Sequence, residues 1–284
     1  LPVRRPYVAG SFYPREPQRL RNEIEDCFKH KLGPGRLPVK SEKPRTITGI
    51  VCPHAGYVYS GHVAAHSYLA LSEEKAPNTA VILCPNHTGL GSAVSIIGEG
   101  TWETPLGRVK IDAEISKAIF KASGMIDFDE SAHQYEHSVE VQLPFLQYLY
   151  GSSISIVPIC MGFQDLETSR NVGEAVAEGA ENRNVIVIAS TDMTHQESQE
   201  LAARKDRLVL DAVEKLDEKG VQDAVALNRI TMCGYGPVSA AIVASKILGA
   251  DKAEILSYHT SGDITGDRGA VVGYASAKLT QTVQ

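Results

Sequence analysis

The chain has 284 residues, of which 43% are hydrophobic and 22% charged. That is enough apolar material to close a sizeable core, and it excludes a disordered or fibrous chain. The formal net charge of -6 argues against a nucleic-acid backbone as the main partner, which would need concentrated positive charge. No run approaches the roughly 18 uninterrupted apolar residues of a membrane span, and Leu1 to Pro14 carries charges and prolines where a signal peptide has an apolar centre. A cytoplasmic location with no membrane partner is the expectation.

From the N-terminus, Glu16 to Lys31 has the apolar spacing of a helix through Leu20, Ile24, Cys27 and Phe28. The stretch from Gly33 to Pro44, rich in Gly, Pro and Lys, reads as a surface loop and not a domain boundary, so residues 1–284 are expected to form one domain. A β-branched run at Thr46 to Cys52 reads as a buried strand, followed by a helical pattern at His62 to Leu71 and a second strand at Ala80 to Cys84. Ala93 to Ile111, carrying Trp102, is hairpin-like. Further strands are expected at Ser153 to Cys160 and Asn184 to Ala189, with a helix from Leu166 to Glu181 between them. A helical pattern at Val238 to Leu248 precedes two last strand-like runs, Ala253 to Tyr258 and Ala270 to Ala277. Strands without polar alternation, separated by helices, imply an α/β fold: a three-layer α/β/α domain with a mostly parallel, mixed central sheet.

The polar motifs fall at strand ends. Pro53-His54-Ala55-Gly56-Tyr57 follows the first strand, Pro85-Asn86-His87 the second, and Ser190-Thr191-Asp192-Met193-Thr194-His195 the strand at Asn184 to Ala189. In open α/β sheets that edge is where ligands bind. A lone loop histidine is more often a surface or hydrogen-bonded residue than a ligand, but the recurrence at three strand ends is not something packing requires. Glu136-His137-Ser138-Val139-Glu140 opens a helical pattern that Ser138 is placed to cap, with His137 just outside it. Of the five cysteines, Cys27, Cys52, Cys84 and Cys160 sit in apolar runs and read as buried free thiols. Cys233 lies among glycines before a helix, where the thiolate is favoured. His30, His62, His66 and His259 have no comparable setting and read as ordinary structural histidines. Ser239 stands where a Gly-x-Gly-x-x-Gly loop needs its third glycine, which argues against a dinucleotide cofactor.

Taken in order, Arg5-Pro6-Tyr7-Val8-Ala9-Gly10-Ser11-Phe12-Tyr13-Pro14, the motifs at His54, His87, His137 and Asp192–His195, and Cys233-Gly234 with Pro237 resemble the Memo family over essentially the whole chain. Memo proteins are similar in fold to class III extradiol dioxygenases, which use non-haem iron. The resemblance implies metal ligation by His54, His87 and Cys233, with Asp192, His195 and His137 as polar residues of the same pocket. By analogy His195 is the first candidate for an acid/base role and His137 the second. Fe(II) is the implied metal, with Cu or Zn suited by a thiolate ligand. Where dioxygenases use two histidines and a carboxylate, the third ligand here is Cys233, a departure that bears on any oxidoreductase activity. The resemblance also implies a small-molecule or peptide ligand, held either for catalysis or by a pocket that only binds. It further implies an association with radical SAM and AMMECR-type proteins.

Overall fold

The computed structural model describes residues 2–282. Its sheet is mixed and mostly parallel. Five strands run parallel in the order Gly107–Ile111, Ser155–Met161, Thr79–Pro85, Val185–Ser190 and Ile47–Cys52. Val271–Thr280 continues the sheet antiparallel to Ile47–Cys52 and carries Lys252–Thr260 on its other side. The region around Trp102 is a true hairpin, Thr101–Thr104 against Gly107–Ile111, while Val94–Ile96 pairs antiparallel with Ser155–Met161.

The absence of alternation in these strands has its cause in the layers. Val81, Leu83, Val157, Ile159, Val187 and Ala189 pack on one face against the helices Ala113–Ala122, Leu166–Gly179, Gln199–Glu214 and Tyr235–Ile247. The residues between them, among them Ile82, Cys84, Ile156, Cys160 and Ile188, pack on the other face against Pro17–Lys29, Tyr57–Ser72 and Leu143–Tyr150. Both faces are dry, so both must be apolar. Each such fully buried side chain contributes about 1.5–3 kcal/mol.

The expected strands and helices all form, with ends shifted by a few residues. The helices Ala113–Ala122, Gln199–Glu214 and Glu218–Asn228 add to them. Each begins at a side-chain cap, Asp112, Ser198 and Asp217, which is a signal present in the sequence. Ser138, by contrast, caps nothing. Its hydroxyl donates to Glu136, and the helix starts only at Leu143 after a turn of 3-10 helix at Glu140–Gln142. Cys27, Cys52, Cys84 and Cys160 are buried free thiols, and Cys233 is partly exposed. No helix among the described residues is long and apolar enough to cross a membrane.

Because the parallel strands share direction, their C-terminal ends open on one edge of the sheet. The loops carrying His54, His87 and Asp192 leave from that edge side by side.

Candidate metal centre

Three imidazoles meet there. One ligand atom from each of His54, His87 and His137 lies within 4.8 Å of the others. The ring centres are 5.2 Å apart for His54 and His87, 5.3 Å for His54 and His137, and 4.7 Å for His87 and His137.

The hydrogen bonds behind the rings fix which nitrogen faces forward. Ser190 Oγ gives its one proton to the Ser138 carbonyl at 2.7 Å and accepts from the Gln142 amide at 2.9 Å. Its remaining capacity is as an acceptor, so His54 Nδ1, 2.9 Å away, must donate to it. Nε2 of His54 is then left with its lone pair. His87 Nδ1 donates to Glu136 Oε1 at 2.9 Å, and its backbone N–H donates to Oε2 of the same carboxylate. His137 Nδ1 lies 3.5 Å from Glu136 Oε1. A ring nitrogen held by a carboxylate or hydroxyl and a second one free is the arrangement of a metal-ligating histidine.

Charge supports the same state. Burial pushes the His54 pKa well below its ordinary value, and the neighbouring His137 and His87 push it further. His137 is lowered to about 4 by burial, against the opposing Glu136 carboxylate. Burial also works to lower His87, but its bond to Glu136 outweighs this and the net direction is up. The Glu136 carboxylate is held well down despite burial by His87 and Ser138. Burial thus favours the neutral, lone-pair form of His54 and His137, and His87 has an anion behind it.

Cys233, expected as the third ligand, adjoins His54 alone of the three rings and stands outside the set whose ligand atoms converge within 4.8 Å, where His137 takes the third place. Its sulfur lies 3.3 Å from His54 Nε2 and accepts the Asp192 N–H at 3.2 Å. Gly234 makes this approach possible, because a Cβ there would stand 2.8 Å from the Ser190 carbonyl and 2.7 Å from Thr191 Cβ. The thiol differs from expectation: burial, with the Asp192 carboxylate beside it, pushes its pKa up and outweighs the helix N-terminus. A bound cation is what would reverse that balance.

Asp192 and His195 are also at this edge, but they do not pair as carboxylate and imidazole. Asp192 accepts the His54 N–H at 2.8 Å and lies 4.0 Å from His54 Nε2. His195 is oriented instead by Thr231, whose carbonyl accepts from Nδ1 at 2.9 Å and whose hydroxyl accepts the His195 N–H at 2.7 Å. That leaves His195 Nε2 as the proton-accepting nitrogen. Its side chain is partly exposed. Phe12 closes the other side of the site, packing on His137 at 4.9 Å, and its carbonyl accepts the Tyr57 N–H at 2.8 Å.

Glu136 is the residue that sequence reasoning passed over. It stood inside a quoted motif, yet a loop carboxylate has no periodicity to mark it. The one signal was its place directly before His137.

Fold and site together define an α/β protein with a cluster of imidazole donors at the C-terminal edge of a parallel sheet. The chain matches the Memo-like protein family over residues 4–278 and belongs to it. A MEMO1 family protein of Methanopyrus kandleri is 54% identical over 96% of this chain and 97% of its own length. Relatives from Methanothermobacter thermautotrophicus and Methanocaldococcus jannaschii are each 52% identical, over 96% and 97% of this chain and 99% and 98% of their own. An uncharacterised protein from Escherichia coli K12, known from its crystal structure, shares the fold with a TM-score of 0.54 at 12% identity, over 82% of this chain and 99% of its own.

Proposed function

We propose that this chain is a metal-binding protein of oxidoreductase type, with an iron(II) ion held by His54, His87 and Cys233 and with His137 completing the donor set. The observation that carries the reading is the convergence of the His54, His87 and His137 ligand atoms within 4.8 Å, with Ser190 behind His54 and Glu136 behind both His87 and His137. The donors fit the ion: imidazoles with free Nε2 lone pairs suit iron, copper and zinc, and the adjacent thiol adds a soft ligand. An iron(II) ion there would supply a Lewis-acidic, redox-active centre, as in the dioxygenases that the family resembles in fold.

The chain's own residues then have separable tasks. Glu136 orients His87 and His137, and Ser190 orients His54. His195, anchored by Thr231, presents Nε2 to take a proton from a substrate hydroxyl. Phe12, packed on the His137 ring, keeps water from one side.

Titration of chelator-treated protein with Fe(II) under anaerobic conditions tests the proposal. One equivalent is expected to depend on this site, with His87→Ala weakening it at least about tenfold and Cys233→Ser weakening it more than loss of any buried cysteine. Binding unchanged in both variants would overturn it. His195→Ala is expected to keep the metal and lose any turnover of a catechol panel. Loss of metal in that variant would make His195 a ligand.

A further inference from the structure

We propose that His30, His62 and His259 form a second metal site, for a divalent transition ion that prefers imidazole, such as Zn(II). It lies beside a cavity of about 790 Å³ whose wall includes His30, His62, Phe12 and Tyr57. Nothing in the spacing of these three residues suggests it. His30 ends the helix Pro17–Lys29, His62 lies in Tyr57–Ser72 and His259 on the strand Lys252–Thr260, and only the packing of those elements brings the rings together.

The first observation is distance. His62 stands between the other two, with ring centres 4.9 Å from His30 and 5.9 Å from His259. Two imidazoles sharing a tetrahedral ion through nitrogens at about 2.0–2.1 Å have ring centres about 5 Å apart. The His30–His62 spacing matches this and the 4.7 to 5.3 Å of the first centre, whereas His259 stands wider. The ligand atoms of the three do not lie within 4.8 Å of one another as they stand, so the rings must draw together to share an ion.

The second observation is an orphan. His62 is 2% exposed, and its Nε2 is buried with no hydrogen-bond partner among the described residues. Leaving such an atom unsatisfied forfeits its hydration without return, and native folds rarely retain one without a reason. A cation would satisfy it.

The remaining ligands are prepared to different degrees. Asp263 Oδ2 lies 3.5 Å from His259 Nδ1, which leaves Nε2 of that ring forward, the carboxylate-backed arrangement again. His30 must turn, since its Nδ1 accepts the Leu32 N–H at 3.1 Å. That single neutral hydrogen bond is weaker than a metal–nitrogen bond, and His30 is a partly exposed residue at a helix end, free to reorient. The neighbouring His66 is occupied, its Nε2 donating to the Leu32 carbonyl at 3.0 Å. Glu16, Glu23 and Asp26 share the cavity wall with Arg15 and Arg19, and Arg15 is bonded to the Ala9 carbonyl.

The test is calorimetric titration of the chelator-treated full chain with Zn(II). Wild type should bind two equivalents and His54→Ala/His87→Ala one. In that double variant His62→Gln or His259→Gln should weaken the remaining equivalent at least about tenfold. Should His62→Gln fail to fold by circular dichroism, His259→Gln alters a partly exposed side chain and decides the matter alone. One wild-type equivalent lost with His54→Ala/His87→Ala and unaffected by His259→Gln overturns this site and leaves the first intact. One equivalent lost only with His259→Gln supports this site and removes the first.

Discussion

Glu136 holds more of the centre in place than any residue that points into it. Its two oxygens accept the N–H and Nδ1–H of His87, the N–H and hydroxyl of Ser138, and face His137 Nδ1. Glu136→Gln keeps the shape but replaces one acceptor by a donor and removes the charge. Iron(II) affinity is expected to fall about 10- to 100-fold, the usual cost of losing an outer partner of a ligating histidine. In metal-free protein the His87 pKa should fall, because Glu136 is what raises it. Proton NMR of the histidine ring signals across pH checks the second effect, and an unmoved His87 titration would sink the assignment. His133 gives a separate prediction. It is fully buried, and its pKa is lowered to about 4 chiefly by that burial. Between its unfolded value near 6.5 and about 4, the unfolded chain binds a proton that the folded chain refuses, so stability falls as pH drops through that window. The gap is worth about 3 kcal/mol, and His133→Gln should flatten that part of the acid unfolding curve by an amount of this order. At this scale the sequence displayed His54, His87 and Asp192 because each follows an apolar strand. It hid the grouping of His30, His62 and His259, whose proximity exists only after the helices pack on the sheet.

At the scale of elements, the helices Leu166–Gly179 and Tyr235–Ile247 meet more closely than their side chains alone would allow. Gly173 is the reason. A Cβ there would lie 2.6 Å from both the Ala240 carbonyl oxygen and Val243 Cβ. Helix propensity favours Gly173→Ala by about 1 kcal/mol, but the contact is with backbone that cannot move alone, and such overpacking costs about 1–3 kcal/mol. The contact wins, so urea unfolding should show a net destabilisation, and a stabilised variant would mean that the helix pair can slide apart. Cys233 precedes the second of these helices, so metal affinity should weaken along with stability. The helices themselves were legible where a stripe of large apolar residues recurred, as Leu20, Ile24, Cys27 and Phe28 do in Pro17–Lys29. Gln199–Glu214 and Glu218–Asn228 bury few large side chains, and their caps, not their stripes, carry the signal. The strands were read from their β-branched runs, and their common polarity followed from parallel connection, which is why the ligand edge could be placed before the sheet order was known.

Across the whole molecule, the first residues are fastened to a carboxylate more than a hundred positions away. Glu140 is fully buried, and its oxygens accept from Arg4, from the Tyr7 and Val8 N–H groups at 2.8 and 3.0 Å, and from the Tyr13 hydroxyl at 2.5 Å. Arg4 also donates to the Glu136 carbonyl at 2.7 Å and stacks over Trp102 at 4.4 Å. The segment so held carries Phe12 against His137, which links the chain's beginning to the candidate metal centre. Arg4→Met keeps most of the volume and the contact with Trp102 but strands the Glu140 charge without its cation. Breaking one side of a buried ion pair costs about 3–5 kcal/mol, whereas replacing both sides by apolar residues is far cheaper. Here the three other donors to Glu140 remain, so a loss of about 3 kcal/mol is expected in urea unfolding of Arg4→Met. Glu140→Met in the same chain should recover part of it, though the N–H groups of Tyr7 and Val8 then lose their acceptor. A loss below about 1 kcal/mol would place Arg4 among ordinary surface pairs and refute the fastening. Iron(II) affinity measured on the same variant separates two consequences of the change. If Phe12 stays on His137, affinity holds while stability drops; if the segment detaches, the two fall together.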